Sequence, residues 1–384
     1  KAFKCFMTKE ELDALREQAK ENKQTFSFRS PWREATPEQV AAQGEAPFVV
    51  RFRVPEGVTD IHDLVQGVVR VNNREIDDFV ILRGNGDPLF HLAVVVDDGL
   101  MKITHVVRGD DHLTNATRHV MLFNALGYDL PQFAHLPMVL DEKGKKYSKR
   151  EHGANVLDWR EDGYLAEALI NYVALLGWTP EEENRELFTR QELIEAFTIE
   201  RWGKSAARFD RKKLDWLNGQ HIRMLSADEL RARLVQVLEQ RGFDVASKSP
   251  EWLARLAEVT REKLPTLNHI VELADFFFHD ITQYEEKAAQ KHFATAEAGE
   301  ILAGVIQTFE AVEDWSAQPL NKSIHKLAES TGRPLGKYVH PVRLALTGKS
   351  VGPGLFELAE LLGKETCLER LRRAEAHVRT TVLS

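Results

Sequence analysis

Hydrophobic and polar positions change their rhythm twice along the chain. Thr8-Lys-Glu-Glu11 is a capping box: the Thr hydroxyl can accept from a first-turn N–H while the Glu reaches back, which predicts a polar helix to about Lys23. Residues 24–88 then read as strands and turns. Residues 48–54 alternate near period two up to Pro55, and 65–71 and 79–82 are short β-branched runs separated by Gly, Asn and Asp.

From Pro88 the texture differs. Residues 103–107 (Ile-Thr-His-Val-Val) read as a buried strand ending at Arg108-Gly109. A helix follows with Thr114 as N-cap, Val120, Leu122, Phe123 and Leu126 as its buried face, and Gly127 as its stop. Residues 133–140 form another apolar strand, so strand, helix and strand together predict a piece of parallel α/β sheet. Periodicity leaves 92–96 open between strand and helix. After residue 150 strand signals almost vanish. An apolar-faced helix is expected over 165–176, Thr189-Arg-Gln-Glu192 and Ser226-Ala-Asp-Glu229 are further capping boxes, and helical segments continue through 252–261, 301–312, 355–362 and 366–373. The second half is expected to be all helical, as packed subdomains, since no fixed-period repeat is present.

Composition narrows the classes. At 384 residues the chain is long enough for two to four domains. With 51 Lys and Arg against 59 Asp and Glu, the net charge is -8, so any nucleic-acid contact has to be local. No apolar run approaches the ~20 residues of a membrane span. The two cysteines, Cys5 and Cys367, stand far apart without a CxxC, which points to a reducing compartment, the cytoplasm, and away from a zinc site.

The sharpest chemical feature is Lys143-Gly-Lys-Lys-Tyr-Ser-Lys-Arg150, with five basic residues in eight positions directly after a predicted strand. Such a loop can wrap a polyphosphate, several ammonium groups converging while a hydroxyl and backbone N–H groups fill the remaining acceptors. A solvated basic turn is the plain alternative. Position favours the phosphate reading, because ligands of open α/β sheets sit outside the carboxyl ends of strands.

Lys146-Tyr-Ser-Lys-Arg150 followed by Glu-His-Gly153 resembles the KMSKS signature of class I aminoacyl-tRNA synthetases in its glutamyl form. Residues 88–98 (Pro-Leu-Phe-His-Leu-Ala-Val-Val-Val-Asp-Asp), 104–112 (Thr-His-Val-Val-Arg-Gly-Asp-Asp-His) and 133–137 (Phe-Ala-His-Leu-Pro) fall in that family's order and spacing. Residues 204–210, 214–219, 341–348 and 356–363 are similar to its stem-contact and anticodon-binding regions. The chain thus resembles the bacterial-type glutamyl-tRNA synthetase family over nearly its whole length.

That resemblance implies α/β plus all-α architecture. It comprises a partial Rossmann-type parallel sheet with an acceptor-binding α/β insertion, then a helical stem-contact region and helical anticodon-binding subdomains. The boundaries are 1–90 for the insertion, 91–140 for the second half of the Rossmann domain and 141–220 for the KMSKS loop and stem-contact region. Two anticodon-binding subdomains follow, 221–310 and 311–384. It also implies ATP-dependent ligation of L-glutamate to tRNA(Glu) through a glutamyl-adenylate, with Mg2+ accompanying ATP, in a cytoplasmic monomer without membrane contact. Lys149 and Lys146 would be catalytic, neutralising the pyrophosphate as it leaves, beside Ser148 and Arg150. Met138, Val139 and His112 would meet the nucleotide, although core packing and a surface histidine are their bland readings.

Arg108 would pair bidentately with the substrate carboxylate, a geometry that favours glutamate over glutamine because a guanidinium has no acceptor for an amide. A salt bridge to Asp97, Asp98 or Asp110 is the alternative. Phe90 and Val94 would line the same glutamate site. Phe90 departs from the family's usual Tyr, and a lost hydrogen bond to a charged group is worth ~1.5–3 kcal/mol unless His91 or water replaces it. Arg343, Arg370, Arg372 and Arg373, with Lys349, are candidate tRNA contacts, a solvated helix face being the alternative.

Two further departures shape the expectation. No HIGH motif is present, and the match starts at Lys1-Ala-Phe-Lys-Cys-Phe, which resembles a segment past that motif. The chain therefore reads as the enzyme without the first half of its catalytic domain. On that reading it would be inert alone and expose apolar surface around 88–140, so a catalytically incomplete tRNA-binding fragment is the alternative function. Cys5-Phe-Met7 breaks the Cys-x-Cys that holds zinc in some members, so no structural zinc is expected. Two rivals fit less well: glutaminyl-tRNA synthetase has a β-barrel anticodon part, and the shorter tRNA-modifying paralogue lacks the helical half.

Overall fold

Thr8 Oγ1 accepts the Glu11 amide at 3.2 Å and Glu11 accepts the Thr8 amide at 2.8 Å, so the reciprocal cap starts α1 (Lys9–Glu21) where its sequence says it should. The computed structural model describes residues 1–21, 27–146 and 155–383. These fall into two compact units, 1–147 with 173–209 and 148–172 with 210–384.

In the first unit β1 (Ala2–Cys5), β2 (Val49–Phe52) and a third strand, β5 below, form an antiparallel sheet in the order β1-β2-β5. A capping box at Thr36 and Gln39 starts the short α2 (Pro37–Ala41), a helix not anticipated among the strands of 24–88. The hairpin of β3 (Val58–Asp63) and β4 (Gly67–Asn72) follows, then β5 (Val80–Leu82). The open segment 92–96 lies in α3 (Phe90–Leu100), whose Val95 is fully buried against Phe79, Met121 and Phe123. β6 (His105–Gly109) runs into a 3-10 turn, Asp110–His112, and then α4 (Leu113–Leu126). Thr114 is therefore not the N-cap. The 3-10 turn already engages the Leu113 N–H through the Asp110 carbonyl, and no side-chain cap is used. Gly127, at φ 77°, ends the helix as expected.

β7 (Gln132–Leu136) pairs in parallel with β6, which is the anticipated strand-helix-strand unit. The sheet is larger than its local signals suggested. β3 also pairs in parallel with β7 through Asp63 and Phe133, giving a mixed sheet in the order β4-β3-β7-β6. β6 is its edge among the described residues, and Phe90, Leu100, Met101 and Val107 nearby are exposed.

β8 (Val139–Leu140) follows β7. Beyond residue 150 come α5 (Val156–Glu161), α6 (Ala166–Gly177) and α7 (Arg190–Ala196), the last started by the Thr189–Glu192 capping box. One strand interrupts the helical half: β9 (Ala207–Arg208) pairs in parallel with β8, and the Phe209 amide donates to the Leu140 carbonyl at 2.8 Å.

The second unit is helical. It contains α8 (Arg211–Met224), α9 (Ala227–Gln240), α10 (Pro250–Thr260), α11 (Ile270–Phe278), α12 (Glu286–His292), α13 (Ala296–Glu310), α14 (Ala317–Thr331), α15 (Gly336–Thr347), α16 (Leu355–Leu362) and α17 (Lys364–Leu383). Cys367, Leu371, Ala374 and Val378 recur at helical spacing on α17 and are buried with Leu302, Val305 and Phe309 of α13 in one apolar core. Burial pushes the Cys367 thiol up to about 12, which makes it an inert packing group. Among the described residues, no helix is long and apolar enough to cross a membrane.

Candidate active site at the carboxyl ends of β6 and β7

β6 delivers Arg108 and Gly109 to the sheet's carboxyl edge, and the 3-10 turn then presents Asp111 and His112. A Cβ on Gly109 would stand 2.7 Å from Asp111 Oδ1 and 3.5 Å from Met138 Sδ, so glycine lets the turn and the segment after β7 close on the strand. Lys146 reaches the same turn. Its ammonium donates to Asp111 Oδ2 at 2.8 Å, and this bond holds the Asp111 carboxyl below its usual range. Leu140 bridges Lys146 in antiparallel fashion while Asp141 caps the intervening turn, accepting the Lys145 amide at 2.7 Å. Lys146, the last described residue of the basic run, thus stands at the turn that carries Asp111. Ser148, Lys149 and Arg150 lie outside the described residues.

The Arg108 guanidinium is half-buried and has no ion pair among the described residues. Neither Asp97, Asp98 nor Asp110 bonds it. Its Nε donates to His135 Nε2 at 3.1 Å and its Nη2 to the His112 carbonyl at 3.3 Å. Burial pulls the guanidinium below its ordinary value, and the fields of Asp98 and Asp111 offset part of that pull. A desolvated cation without a carboxylate is costly to build, and an anionic ligand would relieve that cost.

Phe90 and Val94 lie one turn apart on α3. Val94 packs against the core, whereas Phe90 is exposed and its ring lies 5.4 Å from His91 and 6.0 Å from His119. The two imidazoles bond each other, His91 Nδ1 to His119 Nε2 at 3.1 Å. One must donate and the other accept, so the accepting ring is neutral. Burial, with Arg118 and Arg108 adding repulsion, lowers His91 to about 4; burial, then Arg108 and His91, lowers His119 to about 3. An unfolded histidine near 6.5 binds protons that this folded pair refuses. Stability should therefore be constant above pH ~7 and fall as pH drops from about 6.5 toward 4. Urea midpoints across that range test this, and His119→Gln should flatten the slope.

His112 is exposed; its Nδ1 lies 3.2 Å from Asn115 Nδ2, and the ring faces Asp111 at 3.9 Å. Val139 pairs with Ala207 through its backbone. The cysteine of the broken Cys-x-Cys, Cys5, is buried with its Sγ 3.3 Å from Ser30 Oγ.

The residues missed in the sequence are Asp63 and His135. Asp63 accepts the Val65 and Gln66 amides at 2.9 and 2.8 Å, and His135 Nδ1 stands 2.6 Å from its Oδ2. Burial alone would raise this carboxyl, yet the Gln66 amide, the His135 ring and amide, and the Val65 amide together hold it below its ordinary value.

The family model for the catalytic domain of class I tRNA synthetases (E and Q) matches residues 1–216, and one for an anticodon binding domain matches 226–375. The chain belongs to the glutamyl and glutaminyl class I tRNA synthetases. It is 39% identical to the glutamate–tRNA ligase of Moorella thermoacetica over 99% of this chain and 78% of that protein. It is 40% identical to that of Geobacter sulfurreducens over 98% and 79%. The crystal structure of an Elizabethkingia meningosepticum glutamate tRNA ligase in complex with its amino acid superposes with a TM-score of 0.85 at 31% identity, covering 98% of this chain and 80% of that one.

In this synthetase the four candidate arginines of the anticodon-binding half divide into two pairs. Arg370 is 5% exposed and donates to the Leu346 and His279 carbonyls at 2.8 and 3.2 Å, and Arg343 holds the Pro353 carbonyl at 2.5 Å. Both fasten loops through main-chain carbonyls, and reaching RNA would strand those carbonyls. Lys349 similarly holds the Glu272 carbonyl at 3.1 Å. Arg372 and Arg373 are exposed, paired with Glu310 and with Asp280 and Glu369. Arg370→Ala should lower the unfolding free energy by about 2–4 kcal/mol, read in urea. Arg372→Ala should leave it within about 0.5 kcal/mol, because exposed pairs contribute little.

Proposed function

We propose that the chain attaches L-glutamate to tRNA(Glu) in two ATP-dependent steps. The observation that carries this reading is the half-buried Arg108, a cation without a carboxylate partner at the carboxyl edge of a parallel sheet, in a family whose similar members are named glutamate–tRNA ligases. Arg108 takes a carboxylate of the substrate, with Phe90 and Val94 beside it. Met138 and Val139 offer apolar surface and main-chain groups to adenine, His112 lies near the nucleotide, and Mg2+ arrives with ATP to neutralise the triphosphate.

In the first step an α-carboxylate oxygen of glutamate attacks the α-phosphorus, the bond to the β-phosphate oxygen breaks, and pyrophosphate leaves as charge develops on it. Lys146 and Lys149, with Ser148 and Arg150, meet that charge. Lys146 gives up Asp111 to do so, an exchange that an exposed ion pair permits. In the second step a hydroxyl at the tRNA 3′ end attacks the activated carbonyl and AMP leaves. Residues 1–90 would hold the acceptor arm, 91–140 the amino acid and ATP, 141–220 the loop and the stem contact. The subdomains 221–310 and 311–384 would hold the anticodon arm, with Arg372 and Arg373 as surface contacts. The reading includes a cytoplasmic monomer.

Labelled glutamate, ATP and a tRNA pool test it directly. Label on tRNA, dependent on ATP, supports the ligase; tRNA binding with strong salt dependence but without label answers to a binding-only protein.

A further inference from the structure

The chain Asp63–His135–Arg108 crosses the sheet at the point where three parallel strands end. His135 is fully buried, Asp63 is 5% exposed, and every polar atom of the two that faces the chain is engaged. Arginine can only donate, so the 3.1 Å bond from Arg108 Nε requires an unprotonated Nε2 on His135. The ring proton therefore sits on Nδ1, 2.6 Å from Asp63 Oδ2, and donates to it. Asp63 is itself fixed: its oxygens also accept the amides of Val65, Gln66 and His135, and Gln66 Nε2 holds the His135 carbonyl at 3.0 Å. The imidazole has no freedom to turn or to exchange tautomers.

We infer that Asp63 and His135 are positioning residues for amino-acid recognition, which use a neutral, tautomer-locked imidazole to aim the Arg108 guanidinium without cancelling its charge. The choice of acceptor gives this arrangement its effect. A carboxylate bonded to Nε would orient the guanidinium equally well but would form an ion pair with it, and a substrate carboxylate would then compete with a resident anion. A neutral nitrogen orients the group and leaves its full charge for the ligand. The carboxylate that fixes the system is placed one imidazole further back. The inference rests on the ligase reading above and names the residues that prepare its glutamate site.

The test uses two variants of nearly equal polarity in the full natural enzyme. Asn at 135 reaches only the position of Nδ1, so His135→Asn keeps a partner for Asp63 and removes the acceptor for Arg108. Gln reaches the position of Nε2, so His135→Gln can present its amide oxygen to Arg108. His135→Asn should raise the KM for glutamate about tenfold, with kcat and the KM for ATP within about threefold, because a hydrogen bond to a charged group is lost only at the amino-acid site. His135→Gln should recover most of that rise. In an Arg108→Ala background His135→Asn should add nothing.

Nitrogen-15 spectra of histidine in the unsubstituted enzyme, assigned by the loss of one ring in His135→Gln, should show a neutral Nδ1–H tautomer. Equal glutamate KM for the Asn and Gln variants, an undiminished effect without Arg108, or an Nε2–H tautomer would overturn the inference. The spectra decide even if His135→Asn does not fold, since the assignment uses only His135→Gln. Absence of any glutamate transfer by the unsubstituted enzyme would instead refute the ligase reading, and the tautomer would still report on the positioning chain.

Discussion

Arg108→Ala is expected to raise the KM for glutamate about 10²- to 10³-fold while ATP and tRNA affinity stay within about threefold. Truncating one partner of a desolvated, hydrogen-bonded charge pair costs roughly 2–5 kcal/mol, of which that range takes the middle. Arg108 is half-buried, partly relieved of its hydration, and bonded only to a ring nitrogen and a carbonyl. Its removal therefore leaves a substrate carboxylate facing His135 Nε2 and a main-chain oxygen, both acceptors. On the proposed role, discrimination should fall with affinity, since a guanidinium has no acceptor for the amide of glutamine. Steady-state kinetics with glutamate and glutamine check both parts. An unchanged KM would remove Arg108 from the amino-acid site.

Lys149→Ala should lower the rate of pyrophosphate release about 10²- to 10³-fold, with tRNA affinity within about twofold. A charged donor directed at charge that develops only in the transition state is worth ~2.7–4 kcal/mol, and the role proposed for Lys149 would meet that condition. Lys146→Ala should cost less, about tenfold, because Lys146 must first leave Asp111. Rapid-quench measurement of adenylate formation separates the two lysines, and equal losses would contradict the different roles given to them.

Short-range chemistry was legible in the sequence, and long-range pairing was not. The caps at Thr8, Thr189 and Ser226 formed as their spacing required, as did the Gly127 stop, because each depends on atoms within four residues. Thr114 misled for the same local reason: the 3-10 turn before it had already satisfied the backbone. Residues 92–96 were ambiguous because a helix buried on one side and flanked by acids carries too few polar positions to show its period. The parallel match of β3 to β7 leaves no local trace, since each strand reads only as a half-buried run.

The site divides in the same way. The loop lysines and Arg108 stood out as charges at strand ends, where motif and position agreed. Asp63 drew no reading of its own, and His135 stood only within the Phe-Ala-His-Leu-Pro run of 133–137; only the sheet brings them together. A carboxylate directly before Leu-Val-Gln was the available signal, and it points only to capping of the amides of Val65 and Gln66, with no reference to position 135. The carbonyl bonds of Arg343 and Arg370 were not legible either, because helix-end arginines look alike in sequence whatever they face.

The bonds between Asp63 and His135 join positions 72 residues apart in the chain. Contacts of such separation form late in folding, after the entropy of closing the intervening loop has been met, whereas the helices of the second unit need only near neighbours. During refolding the far-ultraviolet helical signal should therefore return well before the capacity to bind glutamate. In that interval the protein would have regained most of its shape, yet Arg108 would still be swinging freely at the end of its strand.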